Sequence, residues 1–234
     1  MVTGRPRLLD LFCGEGGAGA GYAAAGWDVT GVDWAPRAGR HYPFPFIQAE
    51  AVAYLAEHGR EYDAIHASPP CQVHSKVRPM IGTDAGSLFP ELALHPDLLP
   101  ATRAALAASG RPYIIENVPG APLLDPVLLC GTMFGLAVAC QDGVARELQR
   151  HRLFESSVPL AAPGPCAHQL PAISVIGHSS GTVFRRAYSG TGTEPQRALG
   201  VDWVTTRKGI AQAIPPAFTE HLGRQLLAAL VSGR

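Results

Sequence analysis

The chain lacks net charge. Nineteen Lys and Arg balance nineteen Asp and Glu, so no global field draws it to nucleic acid, and any such contact must come from a local basic patch. It also lacks a CxxC pair. Its five cysteines, at 13, 71, 130, 140 and 166, are odd in number and scattered, which fits a reducing cytosol better than a disulfide framework. Cys166-Ala167-His168 is close-spaced, but such a pair alone is more often incidental than a ligand set, and no metal is expected. No apolar run approaches the length of a membrane span. Met1 to Arg7 has no apolar core of the kind a secretion signal needs. The expectation is a cytoplasmic protein without a membrane partner. No internal repeat is apparent.

What is present is core-forming material. With 47% hydrophobic residues in 234, the chain can build one large domain, or one domain with a small insert. Strand-like apolar runs at Arg7–Phe12, Asp28–Asp33, Phe44–Gln48, Tyr62–Ala67 and Pro112–Val118 alternate with helical patterns at Ala18–Ala25, Glu50–Glu57 and Pro96–Ser109. The last of these has Pro and Asp in its first turns and Gly110 after its end. This rhythm predicts an α/β fold, an open and mostly parallel sheet with helices on both faces. The texture then changes. From about Glu155 to Leu199 the chain is rich in Gly, Ser, Pro and Thr, with weak β patterns at Ile173–Ile176 and Gly181–Phe184, and helical character returns at Ala217–Leu230. The expected division is 1–154 for the main domain, 155–199 for a small inserted region, and 200–234 for the return to the main domain.

Gly14-Glu15-Gly16-Gly17-Ala18-Gly19 matches GxGxxG after a strand and before a helix. Glycines there permit positive φ and close backbone approach to a ligand. Asp33 closes the next strand, where an acid can bond ribose hydroxyls. The pattern alone suits a nicotinamide enzyme as well as an S-adenosylmethionine enzyme, and its plainest reading is a tight turn packing helix on sheet. Trp34 reads evenly as an adenine-stacking ring or a core residue. Glu50 reads as an acceptor for an adenine amino group or as an acid favoured at a helix N-terminus.

Two further clusters also end apolar strand-like runs: Ser68-Pro69-Pro70-Cys71-Gln72 and Glu116-Asn117-Val118. A thiol and a carboxyl in such places suit covalent attack on a pyrimidine. Addition of a thiolate to C6 of cytosine makes C5 a carbon nucleophile, and the reaction needs a proton donor at N3, a methyl donor and a later base. Cys71 can supply the thiolate, helped by Lys76, Arg78 or Arg152, because a free thiol is little ionised near neutrality. Glu116 can hold N3 and the exocyclic amine when burial keeps it protonated. Taken singly, each has a bland reading, a buried thiol and a capping or salt-bridged acid. Gln149 to Phe154 interleaves basic and apolar residues like a strand edge, which would point Arg150 and Arg152 the same way.

Together these residues resemble the DNA (cytosine-5) methyltransferase family. Asp10-Leu11-Phe12-Cys13-Gly14 resembles its first motif, Asp33-Trp34 the second, Glu50 the third and Ser68 to Gln72 the catalytic one. Glu116-Asn117-Val118 resembles the acid motif, Arg150-His151-Arg152 the arginine motif, and Ala211-Gln212-Ala213-Ile214-Pro215-Pro216 the last, which closes the cofactor pocket. The matches run in family order over nearly the whole chain, whose compact length resembles that of small phage and actinobacterial methylases.

The resemblance implies a Rossmann-like S-adenosylmethionine-dependent methyltransferase sheet with a small inserted target-recognition subdomain. Asp10, Phe12, Cys13, Gly14, Gly16, Gly17, Asp33, Trp34, Glu50, Pro70, Gln212 and Ala213 would bind S-adenosylmethionine. Cys71 would attack C6, with Glu116, Arg150 and Arg152 around a base flipped out of double-stranded DNA. Gln72 and Ser75 would face substrate on the catalytic loop. Arg185 and Arg186, with Arg197 and then Arg207 and Lys208, would form the basic patch. A monomer associated with the nucleoid, with a companion restriction enzyme, is the corresponding expectation. The chain departs from the pattern at Leu148, where the family has glutamine, at Ala211-Gln212, where it has Gly-Asn, and in the short recognition region. The alternatives are the same chemistry on RNA, a catalytically silent DNA-binding regulator, and a modified donor whose extra carboxylate would meet Arg37 and Arg40.

Overall fold

Leu8 and Leu9, Ala64 and Ile65, and Ile114 and Ile115 are adjacent pairs that are completely buried. Neighbours in an extended chain face opposite ways, so each pair needs cover on both faces of a sheet, as parallel, doubly covered strands provide. The computed structural model describes residues 4–35, 42–70, 97–175 and 188–232. Its strands are β1 (Arg7–Leu11), β2 (Asp28–Asp33), β3 (Phe46–Gln48), β4 (Ala64–Ala67), β5 (Tyr113–Asn117), β6 (Val127–Cys130), β7 (Ala137–Ala139), β8 (Ala145–Glu147), β9 (His151–Ser156), β10 (Ile173–Ser174) and β11 (Tyr188–Ser189). Its helices are α1 (Gly17–Ala25), α2 (Ala51–His58), α3 (Leu99–Ser109), α4 (Glu194–Leu199), α5 (Arg207–Gln212) and α6 (Pro216–Ser232).

The main sheet has the order β3-β2-β1-β4-β5-β9-β6. The first five strands are parallel, and β9 runs antiparallel between β5 and β6. Leu8, Val29, Ala64, Ile114 and Phe154 face α1 and α6, whereas Leu9, Val32, Ile65 and Ile115 face α2 and α3. α1 and α6 pack closely because α1 is built of Gly and Ala: a Cβ at Gly21 would stand 2.1 Å from the Pro216 carbonyl oxygen and from Thr219 Oγ1. Thr219 Oγ1 donates to the Ala18 carbonyl at 2.8 Å, and Trp27 Nε1 to the Gly223 carbonyl at 3.0 Å.

The β/α alternation of the first half therefore matches the sequence reading, with ends displaced by a few residues. Two expectations change. The segment around Arg150 to Phe154 is an interior strand: Glu116 pairs with Phe154 on one side, and Leu129 with Arg152 on the other. The proposed boundary at 154 also cuts this strand. Glu155, expected in the inserted region, is a buried member of β9 whose carboxylate takes a two-point grip from Arg103, at 2.8 and 2.7 Å. A separate small core joins Val138, Cys140 and Leu148 to Ile173, Leu199, Val204 and Ile210. The small lobe thus draws on the β7–β8 hairpin as well as the later segment, because strands of three residues bury too little on their own. Among the described residues no helix is long and apolar enough to cross a membrane.

Candidate active site

From β1 the sheet grows through β2 and β3 on one side and through β4 and β5 on the other. The reversal opens a crevice at the carboxyl ends of β1 and β4, the place where open α/β sheets bind ligands. Register aligns those ends: Leu11 lies beside both Val32 and Ala67, and Ala67 beside Ile115. The residues that follow, Phe12 to Gly17, Asp33, Ser68 to Pro70 and Glu116-Asn117, therefore gather along one rim.

The glycine loop is bent sharply there. Phe12, Gly14 and Gly16 have φ of 57°, 53° and 87°, a region costly for a side chain such as that of Phe12. A Cβ at Gly16 would meet Pro43 Cδ at 2.7 Å, whereas beside Gly14 there is open space. Asp33 ties the loop down, accepting from the Gly14 amide at 3.1 Å and the Ala35 amide at 2.9 Å. Each carboxylate oxygen retains a lone pair for a further donor. Asp10, wholly buried beneath the loop, accepts from Tyr42 Oη at 3.0 Å. Burial, reinforced by the negative charge of Asp33 and opposed by Tyr42, pushes its pKa up to about 7. Its Oδ1 is buried without a hydrogen-bond partner, so a donor from a ligand on the loop would relieve a real cost.

The other cofactor candidates divide. Trp34 is 71% exposed, which rules out core packing and leaves its ring face open beside Asp33. Glu50 caps α2, accepting from the Val52 and Ala53 amides at 3.0 and 2.7 Å. Cys13 is buried beneath the loop, and burial together with Asp10 and Asp33 drives its thiol far above the usual range. Gln212, exposed, ends α5, and Ala213 follows half-buried. This last motif does reach the loop, since the Ile214 carbonyl lies where a Cβ at Gly17 would come within 2.4 Å, and residues just before it hold the loop as well: Thr206 Oγ1 donates to Glu15 Oε1 at 2.6 Å, and Trp203 Nε1 to the Glu15 carbonyl at 2.8 Å.

The acid stands at the end of β5. Glu116 Oε1 is 2.8 Å from Arg152 Nε, and the two side chains are 8% and 14% exposed, a buried ion pair. The contact follows from register, since Arg152 lies two residues from Phe154, the cross-strand partner of Glu116, and so shares its face. Burial raises the Glu116 pKa, against the lowering pull of Arg152, Arg150 and a hydrogen bond from Ser68. Arg150 is buried and donates to the Ala211 carbonyl at 2.7 Å, linking the arginine motif to the last motif.

Sequence reasoning missed a polar relay behind the acid. Tyr22 Oη lies 3.0 Å from His66 Nδ1, and His66 Nε2 lies 2.8 Å from Ser68 Oγ. Burial lowers the His66 pKa to about 3, so the ring is neutral. With Ser68 donating to Glu116, His66 carries its proton on Nε2 and accepts from Tyr22 at Nδ1. The available signal was a histidine in the otherwise apolar strand Ala64–Ala67, two residues before Ser68 and hence on the same face. Asn117 Nδ2 donates to the Pro69 carbonyl at 3.1 Å, fixing the approach to Cys71. Cys71, Gln72, Ser75, Lys76, Arg78, Arg185 and Arg186 lie outside the described residues, as do Arg37 and Arg40.

No protein-family profile and no curated protein matches the sequence. Solved structures do. The chain resembles a candidate DNA modification methyltransferase encoded within a prophage of E. coli, with a TM-score of 0.60 and 14% identity, covering 97% of this chain and 99% of that one. S. pombe Dnmt2 methyltransferase superposes with a TM-score of 0.60 at 12% identity, and Entamoeba histolytica methyltransferase EhMeth with 0.56 at 10%, each over the same shares. At such identity the likeness establishes the fold: the chain has the Rossmann-like architecture of these methyltransferases.

Proposed function

We propose that this chain is an S-adenosylmethionine-dependent DNA methyltransferase acting at C5 of cytosine. The observation that carries the reading is the buried Glu116–Arg152 pair at the β5 end, facing the rim that also holds the glycine loop and the Pro69-Pro70 approach to Cys71. The full-length likeness to a prophage DNA modification methyltransferase agrees with it.

The residues fit the donor. Asp10 with its unpartnered oxygen, the open side of Gly14, Asp33 with lone pairs to spare and the exposed Trp34 ring would hold it. Phe12, Cys13, Gly16 and Gly17 shape that cradle. Glu50, which caps α2 just past the strand paired with that of Asp33, and Pro70, Gln212 and Ala213 complete the proposed donor-binding set. S-adenosylmethionine supplies an electrophilic methyl group.

The remaining chemistry belongs to the chain. Cys71 as thiolate attacks C6 of a cytosine withdrawn from the duplex, since C5 and C6 are closed to attack within the stack, and the thiolate leaves C6 again when a base takes the C5 proton after that carbon has gained the methyl group. Glu116, whose pKa burial raises, delivers a proton to N3 and accepts from the exocyclic amine. Arg152 orients Glu116 through the ion pair and limits how far that pKa climbs. Arg150 fastens this strand to the last motif. The segment from Glu155 to Leu199, less the part that belongs to β9, carries the recognition surface, with Arg185, Arg186 and the exposed Arg197 toward phosphate, while Gln72 and Ser75 face the substrate.

The test is covalent trapping. A duplex of mixed sequence containing 5-fluorocytosine is incubated with the protein and S-adenosylmethionine, beside a folded RNA bearing the same base. A denaturation-resistant adduct with the duplex, absent in Cys71→Ser, supports the reading. An adduct with RNA alone moves the substrate class. No adduct from folded protein that binds S-adenosylhomocysteine overturns the covalent mechanism.

A further inference from the structure

Cys130, His151, Cys166 and His168 bring two sulfurs and two ring nitrogens within 4.8 Å of one another. Cys130 and His151 are cross-strand partners at the ends of β6 and β9. Cys166 and His168 come from the irregular segment that follows β9. Three contacts are close: His151 Nε2 to Cys166 Sγ at 3.3 Å, Cys166 Sγ to His168 Nε2 at 3.1 Å, and His168 Nε2 to Cys130 Sγ at 3.4 Å. Hydrogen bonding alone accounts poorly for this convergence. His168 Nε2 faces two sulfurs and has either one proton or one lone pair, and Cys166 Sγ faces two ring nitrogens. A tetrahedral ion with bonds of about 2.3 Å to sulfur and about 2.0 to 2.1 Å to nitrogen spaces its donors roughly 3.3 to 3.8 Å apart. The three sulfur–nitrogen contacts, at 3.3, 3.1 and 3.4 Å, fall just short of the roughly 3.5 Å such an ion sets between sulfur and nitrogen, so only a small outward movement of the donors is needed to admit it.

We propose that these four residues form a structural zinc site, with two thiolates and two imidazoles closing the coordination sphere. The donor set is the one a borderline-soft, tetrahedral divalent ion prefers. Both thiols release their protons to solvent on binding, so the site carries no net charge with zinc in place. Thr132 Oγ1 donates to Cys130 Sγ at 3.3 Å, the outer-shell bond expected of a metal thiolate. Cys130 is buried and His168 exposed, which gives the ion a path of entry. The site would staple the segment after β9 to the sheet edge and clamp the entry of β9, where His151 stands between Arg150 and Arg152. The expectation of no metal rests on the missing CxxC spacing. Here strand register assembles half of the set, which spacing cannot reveal.

The experiment is elemental analysis of untagged, full-length protein purified from zinc-supplemented culture, with Cys166→Ser/His168→Ala in parallel. Both changed residues are on an irregular segment, so the sheet is spared. The expected result is about one zinc per chain in the wild type and at least tenfold less in the variant. Cobalt exchange of the wild type should give the intense thiolate-to-metal charge-transfer bands of two Co–S bonds. Less than a tenth of an equivalent in folded wild type after zinc addition overturns the proposal. So does zinc retained by the variant, or a Cys130–Cys166 disulfide in protein purified under reducing conditions.

Discussion

Replacing Arg152 with methionine keeps most of the side-chain volume at 152 and removes its charge, leaving Glu116 buried without its partner at 2.8 Å. Breaking a buried ion pair costs about 3 to 5 kcal/mol. Protonation sets a ceiling on that cost. Holding Glu116 neutral costs about 1.4 kcal/mol for each pH unit above its ordinary value, hence about 5 kcal/mol at pH 8 and under about 1 kcal/mol at pH 5. The wild-type carboxyl already carries part of this, because its own pKa is raised above 4.5. The sign follows. A carboxyl with a raised folded-state pKa binds more protons when folded, so its penalty is absent below 4.5 and grows as pH rises to the folded value. Arg152→Met is therefore expected to lose about 3 kcal/mol at pH 8 and little at pH 5, measured by urea denaturation with an unchanged m-value. Arg152→Met with Glu116→Gln removes both charges and should recover most of the loss. A deficit that is the same at both pH values, or a double variant equal to the sum of its parts, would refute a buried, coupled pair.

Arg103→Met should destabilise the fold by about 3 kcal/mol with the substrate surface untouched, since it strands the buried Glu155 carboxylate; thermal and urea melts check this. Gly21→Ala should cost at least about 1 to 3 kcal/mol, because the new methyl lands on the Pro216 carbonyl and Thr219, and an unchanged melting temperature would contradict the packing of α1 on α6. Asp33→Ala should weaken S-adenosylhomocysteine binding by tenfold or more in calorimetry, as the Gly14 amide loses its tether and the proposed cradle loses a carboxylate. Arg185→Ala with Arg186→Ala should lower the slope of log affinity against log salt for duplex DNA by about two if both meet phosphate, and an unaltered slope places the basic surface elsewhere.

The first half of the fold was legible because its signals are local. Adjacent apolar pairs such as Leu8–Leu9 encode a sheet covered on both faces, and the Gly14–Gly19 pattern encodes a turn into a helix. The place of Glu116 at the end of β5 was legible for the same reason, since it ends an apolar run. What escaped was long-range. β6 pairs with β9 some twenty residues further along, β7 and β8 pair with each other, and no periodicity in three or four residues distinguishes any of them. The interior place of β9 depends on β6, so its alternation looked like an edge. The small lobe was misplaced at its start because its core uses Val138 and Leu148, ahead of the change in composition. Glu50 shows a different limit. The sequence admits both a ligand contact and a helix cap, and only the amides of Val52 and Ala53 show that it caps. The relay joins Tyr22 of α1 to His66 of β4 and Glu116 of β5, and the Cys/His cluster joins the paired ends of β6 and β9 to a later segment, so both depend on elements distant in sequence.

The central claim is methyl transfer to C5 of cytosine in DNA, and nucleoside mass spectrometry tests it most directly. Duplex DNA of mixed sequence is incubated with the protein and S-adenosylmethionine, then digested to nucleosides. The account predicts 5-methylcytosine from the wild type and none from Cys71→Ser. An unmodified digest from folded protein that binds S-adenosylhomocysteine, or methylation at any other base position, would contradict it.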